Sequence, residues 1–447
     1  MQQDARGLAL STDSADAARH FDAAVDSYLR YRTDAARHLD AALAADAGFA
    51  LGHAMRGYFA MLSYKRASLP AAAAALARAE AAAVRLSERE RLHLSALRAW
   101  VDGRLWRMLD AWEAILADHP TDVLALRLAH FNYFWIGEAQ AMRASVLRAR
   151  QGWSDTLPGF GTVLACEAFG HEECGDYRAA EAAGRAAVER DPADLWGTHA
   201  VAHVMEMEGR HRDGIGWLDG LAKNWDGAAA IAHHLWWHRA LYHFELGEHD
   251  AVLDLYDRRI RDLAAPLVRA MPDLYIDIQN GAALLWRLER AGVDVGDRWS
   301  EIADKAEART GDALSAFTQP HWMMALAATG RGDAASRLLD ALAEAGRGDD
   351  TLASIHAAVT RPVAAAALAH RRGDWGMVVD LLFPIRNDLR RLGGSHAQRD
   401  VFRQMLADAA ARAGRRDALR TVLAEERAGR AVPLTARRGY AAISIAA

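Results

Sequence analysis

The chain has 447 residues, 52% hydrophobic and 25% charged, a globular composition that excludes a disordered chain and suffices for two or three cores or one extended array. Lys and Arg total 54 against 59 Asp and Glu, so a formal charge of −5 leaves no basic footprint for nucleic acid and no polybasic membrane patch. The two cysteines, Cys166 and Cys174, form no CxxC pair, which excludes a disulfide scaffold or a thiolate zinc site and fits a reducing compartment.

Taken in chain order, the opening MQQDARGLALSTDSADAARHF carries charges inside any apolar run and lacks a cleavage pattern, so it predicts no signal peptide. No later stretch approaches the roughly 18 uninterrupted apolar residues of a membrane helix, and the expectation is a cytoplasmic protein with no membrane or nucleic-acid partner. Alanine is abundant and runs of Val, Ile and Thr are scarce, which predicts an all-α fold. Amphipathic stretches then alternate with Gly-containing turns and Pro-containing connectors. HPTD (119–122) precedes LAHFNYFWIG, which carries His130. PGFGTVLACEAFGHEECG holds both cysteines, assigned to packing, and Glu167, a weaker groove residue. GDYRAAEAAGRAAVERDPAD (175–194) puts Gly and Tyr at the turn of a helical hairpin, small residues where two helices approach, and Asp-Pro at the exit. The same grammar returns from Gly209, Gly247, Gly373 and Gly414, and HPTD and DPAD stand 72 residues apart, near two units of a roughly 34-residue repeat. These patterns predict a tetratricopeptide-like helical-hairpin solenoid, a right-handed superhelix running through 1–447 as one body. RAGVDVGDRWSEIADKAEARTGD (290–312) breaks the grammar and marks the one internal seam.

Five histidines fall on first helices of such hairpins: His130, His199, His203, His234 and His238. His199 to His234 and His203 to His238 are each 35 residues, and His130 to His199 is 69. Four-residue separations put both rings of a helix on one face, and first helices line the concave groove of a tetratricopeptide array. Glu206 completes His-x-x-x-His-x-x-Glu on the first of these helices. The set of imidazoles and a carboxylate suits either no cofactor or a divalent transition metal: zinc, iron or manganese. The metalloprotease order HExxH is absent. Without a metal, the same groups suit general acid–base catalysis, because imidazole titrates near neutrality. The plainer alternative is a polar lining that hydrogen-bonds across neighbouring hairpins. His20, His38, His211, His249 and His370 lie near polar turns or exposed stretches, and His233 and His243 fall off the 234/238 face.

Further motifs are GHAM (52–55), RLHLSA (91–96), HPTDVLALRLAHFNYFWIG (119–137), HAVAHVMEMEG (199–209), WWHRALYHFELGEHDAVLDLYD (236–257), QPHWMMAL (319–326) and LLFPIRNDLRRLGGSHAQRDVF (381–402). On these stretches the chain resembles the tetratricopeptide repeat protein 38 family, from near its N-terminus to near its C-terminus. The GGSxAQRD segment carries most of the specificity, since it is no generic repeat signature. The resemblance implies a tetratricopeptide-like superhelix, cytosolic or exosome-associated, and no assigned reaction. His53, His93, His130, His199, His203, His234, His238 and His321 fall inside matching stretches, whereas His233, His243 and His396 are peripheral. Gln398, Arg399 and Asp400 join the site residues on the same ground, with a capping network at a helix start as their alternative.

The reading taken is a small-molecule-acting protein, an enzyme of hydrolase, lyase or isomerase type. His199, His203, Glu206, His234 and His238 are its catalytic or metal-binding groups. His53, His130, His321, Trp236, Trp237, Trp322, Arg399 and Asp400 line its pocket. The alternatives are an interaction scaffold for a peptide or protein, the common use of such grooves, and metal storage or sensing. The Ala- and Leu-rich segment 400–414 could pack against a twin in a homodimer.

Overall fold

A computed structural model describes residues 1–82, 86–428 and 432–446. Among them the chain is all-α apart from a two-residue ladder pairing Gln2–Gln3 with Ala9–Leu10. It divides into two compact units. The first is Met1–Phe134, Glu138–Val201 and Lys223–Ala229; the second is Trp135–Gly137, Ala202–Ala222 and Ala230–Ala447.

In the first unit consecutive helices pack as hairpins: α1 (Ala15–Leu29) on α2 (Ala35–Ala45), α3 (Ala50–Met61) on α4 (Leu69–Ala81), and α5 (Glu88–Val101) on α6 (Leu105–Asp118). α7 (Val123–Trp135) and α8 (Ala139–Arg150) follow, then the pair α9 (Phe160–Glu172) and α10 (Tyr177–Arg190), and α11 (Leu195–Met207), which belongs to this unit up to Val201 and to the second from Ala202. The two Asp-ended motifs start helices. Asp122 Oδ1 accepts from Ala125 N at 2.9 Å and Asp194 Oδ1 from Gly197 N at 2.8 Å, satisfying amides that a first turn leaves open. The small residues of 175–194 do let two helices approach. A Cβ on Gly184 would stand 2.7 Å from Val201 Cγ2, and one on Gly197 would stand 3.1 Å from Gly184 O, so α10 crosses α11 where neither can carry a side chain.

The second unit continues with α12 (His211–Leu221), α13 (Ile231–Leu246), α14 (His249–Leu255), α15 (Pro266–Ala270), α16 (Tyr275–Arg290) and α17 (Trp299–Ala308). Next come α18 (Thr318–Ala328), α19 (Gly332–Ala345), α20 (Thr351–Ile355), α21 (Arg361–Arg372), α22 (Trp375–Leu382), α23 (His396–Arg412), α24 (Arg416–Ala428) and α25 (Arg438–Ala446). The 290–312 stretch lies inside this unit, where it forms the turn after α16 and the helix α17. Turn glycines with positive φ at Gly103, Gly137, Gly175, Gly209 and Gly247 stand 34, 38, 34 and 38 residues apart. Beyond Gly247 the spacing loosens, with Gly330, Gly373 and Gly414 at 43 and 41. The hairpin grammar is therefore regular up to α13 and diluted after it.

One helix among the described residues, Thr351–Arg372, is long and apolar enough to cross a membrane, and 56% of its apolar window is buried inside the protein. Arg361 and Pro362 interrupt it, a one-turn π segment at His356–Thr360 precedes Arg361, and it packs on α18, as a core helix does.

Candidate functional site

The site forms where α11 meets α13. Gly214 on α12 leaves room for the Tyr242 ring, which a Cβ there would meet at 2.5 Å, and the Tyr242 hydroxyl donates to the Ala202 carbonyl at 2.6 Å. That bond ties α13 to α11. One turn away, His203 of α11 and His238 of α13 face each other edge to face, ring centroids 4.3 Å apart at 65°. His234, one turn before His238, sits 4.7 Å from it at 78°. His199 stands one turn before His203 on the same continuous helix. All four rings are buried, and each offers one nitrogen, these nitrogens lying within 4.8 Å of one another.

Burial sets their charge. Desolvation pushes the His203 and His238 pKa values well below the usual imidazole value. Neighbouring His234 adds to the effect on both, His203 itself adds to that on His238, and His396 and Arg399 add to that on His203. Burial brings His234 down to about 4, partly opposed by its hydrogen bond to Asn280. That bond also fixes the tautomer. His234 Nδ1 lies 3.0 Å from Asn280 Oδ1, and an amide oxygen only accepts, so the proton sits on Nδ1 and Nε2 keeps its lone pair. The other face of His234 is covered by Trp237, stacked at 5.1 Å and 14°.

Two residues that sequence reasoning passed over complete the surroundings. Asn280 lies fully buried in the middle of α16; a polar Gln-Asn pair between the apolar Ile278 and the apolar run 281–285 was the available signal. Arg287, also on α16, is buried with its guanidinium 6.0 Å from the Trp237 ring and bonded to the carbonyls of Ala283 and Ala397 at 3.1 and 3.0 Å. Burial lowers its pKa, opposed by Asp400 and Glu206 at longer range. In WRLER it reads as an ordinary helical arginine.

The remaining expected site residues disperse. Glu206 is not one of the four ligand-bearing groups; its carboxylate lies 3.8 Å from Arg437 Nη2, which also meets Asp400 at 3.1 Å and Glu245 at 3.5 Å. Asp400 further accepts from Tyr440 at 2.8 Å and Gln404 at 2.7 Å, anchoring the C-terminal helix. Ser395 and Gln398 form a reciprocal capping box at the start of α23, and Arg399 donates back to the Gly394 carbonyl. Thus the GGSHAQRD segment builds a helix start and a C-terminal anchor, while the Arg399 charge still reaches His203. His321 lies between Phe317 and Phe402 with Nδ1 donating to the Phe317 carbonyl at 2.8 Å. Burial, with a contribution from Arg287 against that bond, takes it down to about 4.

Trp322 faces the Arg309 guanidinium at 5.6 Å, and Trp236 lies half-buried between Arg239 and Arg259. In the first unit His53 bonds the Ala47 carbonyl at 2.9 Å. His130 accepts from Trp196 Nε1 at 3.2 Å, and the Trp196 ring stacks on His199 at 4.7 Å, so this pair supports His199 from behind. Cys166 is buried beside Arg127, and burial pushes its thiol up to about 11, which fits packing rather than reactivity.

Fold and site together define an all-α protein of helical hairpins with a buried histidine cluster able to hold a metal ion. No known protein-family model matches the chain.

Proposed function

We propose that His199, His203, His234 and His238 form a transition-metal centre for zinc, iron or manganese, which serves acid–base or metal-assisted chemistry on a small molecule: hydrolysis, elimination or isomerisation. The observation that carries this reading is the convergence of one nitrogen from each of four buried rings within 4.8 Å. Four adjacent imidazoles are a costly way to fill space that leucines fill well, unless the rings have a ligand in common. Burial holds the pKa values of His203, His234 and His238 down, which favours the neutral form that binds a metal. The Asn280 bond to Nδ1 of His234 is the outer-shell contact that ligating histidines use.

A bound ion would supply Lewis-acid polarisation of a substrate oxygen. The chain's own groups would divide the remaining work. Arg287, which has no carboxylate within salt-bridge distance among the described residues, offers charge to an anionic part of the substrate, and Trp237 offers an apolar wall. His321, neutral near pH 7, can accept a proton at Nε2 because Nδ1 is committed to the Phe317 carbonyl. We also take the chain to be a cytoplasmic relative of the tetratricopeptide repeat protein 38 family with its right-handed superhelix, on the motifs GHAM, HAVAHVMEMEG and GGSHAQRD.

The test is elemental analysis of untagged protein purified without chelator, beside His238→Ala and the His199→Ala/His203→Ala double variant. Near-stoichiometric metal, lost in both variants with helical circular dichroism retained, is expected. Native protein that carries no metal and takes up no added zinc, iron or manganese refutes the centre.

A further inference from the structure

A cleft of about 300 Å³, open to solvent past the half-exposed Arg371 and Arg412 side chains, lies wholly within the second unit, where α16, α17, α18, α21, α22 and α23 converge. Its size is at the lower end of ligand pockets. Its walls are specific. Trp286, Trp299 and Trp375 line it, with Met324, Ala328 and Ala367 as an apolar floor. His370, which sequence position put on an exposed stretch, has a side chain only 13% exposed and is wedged between Trp286 and Trp375, ring centroids 5.4 and 5.0 Å away.

The polar groups are unbalanced in one direction. Arg290, Arg371 and Arg412 face only Glu289 and Asp408, so the arginines outnumber the carboxylates by one. Both carboxylates are already engaged. Asp408 Oδ2 accepts from His370 Nε2 at 3.0 Å and Arg412 Nε at 2.9 Å, Asp408 Oδ1 lies 3.3 Å from Arg290, and Glu289 holds Arg371 at 2.7 Å. Spare capacity therefore resides in donors. The terminal nitrogens of Arg412 make no hydrogen bond among the described residues, and the buried indole N–H of Trp299 has no partner. A cationic ligand is disfavoured: guanidiniums already stand near two of the indoles, Arg290 at 5.8 Å from Trp286 and Arg412 at 4.8 Å from Trp375, and would repel it.

We propose that this cleft binds a small aromatic carboxylate, its ring among the three indoles and its carboxylate on Arg412, whose side chain is half exposed at the mouth. The His370–Asp408 pair fixes one wall of that site: Asp408 accepts a hydrogen bond from His370 Nε2 and orients the imidazole between the two tryptophans. None of these residues belongs to the histidine cluster, so the site stands or falls apart from the metal centre.

The experiment is calorimetric titration of the full chain with 2-naphthoate, with 2-naphthamide as the uncharged analogue and cyclohexanecarboxylate as the non-aromatic one. Saturable binding of 2-naphthoate at one site per chain is expected, with 2-naphthamide at least about tenfold weaker, the scale of one charge-assisted hydrogen bond, and cyclohexanecarboxylate weaker by about tenfold through loss of ring stacking on the indoles. Arg412→Gln, which alters a half-exposed side chain and leaves the fold standing, and Trp375→Leu should each weaken 2-naphthoate by a similar factor, while the His199→Ala/His203→Ala variant binds as the native protein does. Absence of saturable binding, equal affinity for 2-naphthamide, or native affinity in Arg412→Gln overturns the proposal.

Discussion

Asn280 offers the sharpest test of the histidine cluster, because it touches a single member of it. Its side chain is fully buried on α16, Oδ1 accepts from His234 Nδ1 at 3.0 Å, and its own Nδ2 has no partner. Asn280→Leu removes that orphaned donor but strands the His234 N–H, and each unsatisfied group costs about 1–3 kcal/mol, so the two changes offset and metal-free stability moves by no more than about 1 kcal/mol. Metal affinity has no such offset. Without the bond the imidazole proton can sit on either nitrogen and the ring loses its fixed orientation, which in outer-shell substitutions costs about 10- to 100-fold, or roughly 1.4–2.7 kcal/mol. Asn280→Asp keeps the acceptor and adds charge, so affinity is held or raised. Zinc competition against a chromophoric chelator reads the affinity, and urea unfolding in excess chelator reads the stability. Native zinc affinity in Asn280→Leu, or a fall in Asn280→Asp as large as in Asn280→Leu, would refute the assignment of His234 as a ligand oriented by Asn280.

Two further outcomes concern ion pairs away from the cluster. In the first unit buried Asp122 accepts from Arg89 at 2.6 Å and His93 at 3.0 Å while capping α7, and these partners hold its carboxyl far below the usual range against the effect of burial. Asp122→Asn strands the Arg89 charge and should cost about 3–5 kcal/mol in urea unfolding; a loss under about 1 kcal/mol would show that Arg89 finds another partner. In the second unit burial alone would raise Asp408, but the His370 hydrogen bond and the Arg290 and Arg412 charges bring it to about 2. A carboxyl depressed on folding stabilises above its unfolded pKa and loses that contribution as pH falls through the folded one, here a total of about 2 kcal/mol, with about 1 kcal/mol gone by pH 3. The drop in unfolding free energy between pH 5 and pH 3 should therefore be about 1 kcal/mol smaller in Asp408→Asn; an unchanged drop would mean that Asp408 keeps its unfolded pKa in the folded chain.

What could be read from sequence was whatever repeats. Turn glycines, Asp caps and the 35-residue spacing between His199 and His234 and between His203 and His238 all follow from one hairpin stacking on the next, so residues at equal register meet. Glu206 shows where this reasoning stops. Its spacing put it on the His199/His203 helix, and it is there, but it also meets Arg437 from the other end of the chain at 3.8 Å, and no period relates 206 to 437. Asn280 and Arg287 were hidden for the same reason, since their partners His234 and Ala397 lie 46 and 110 residues away. His370 was misplaced because a position near a turn says nothing about what packs over the turn: Trp286, Trp375 and Asp408 come from three other helices and together draw it inside. A cleft formed by six helices belongs to none of their sequences. In this chain the repeat positions the four clustered histidines, and the irregular second half, where the glycine spacing loosens, is where a cleft of different chemistry had room to form.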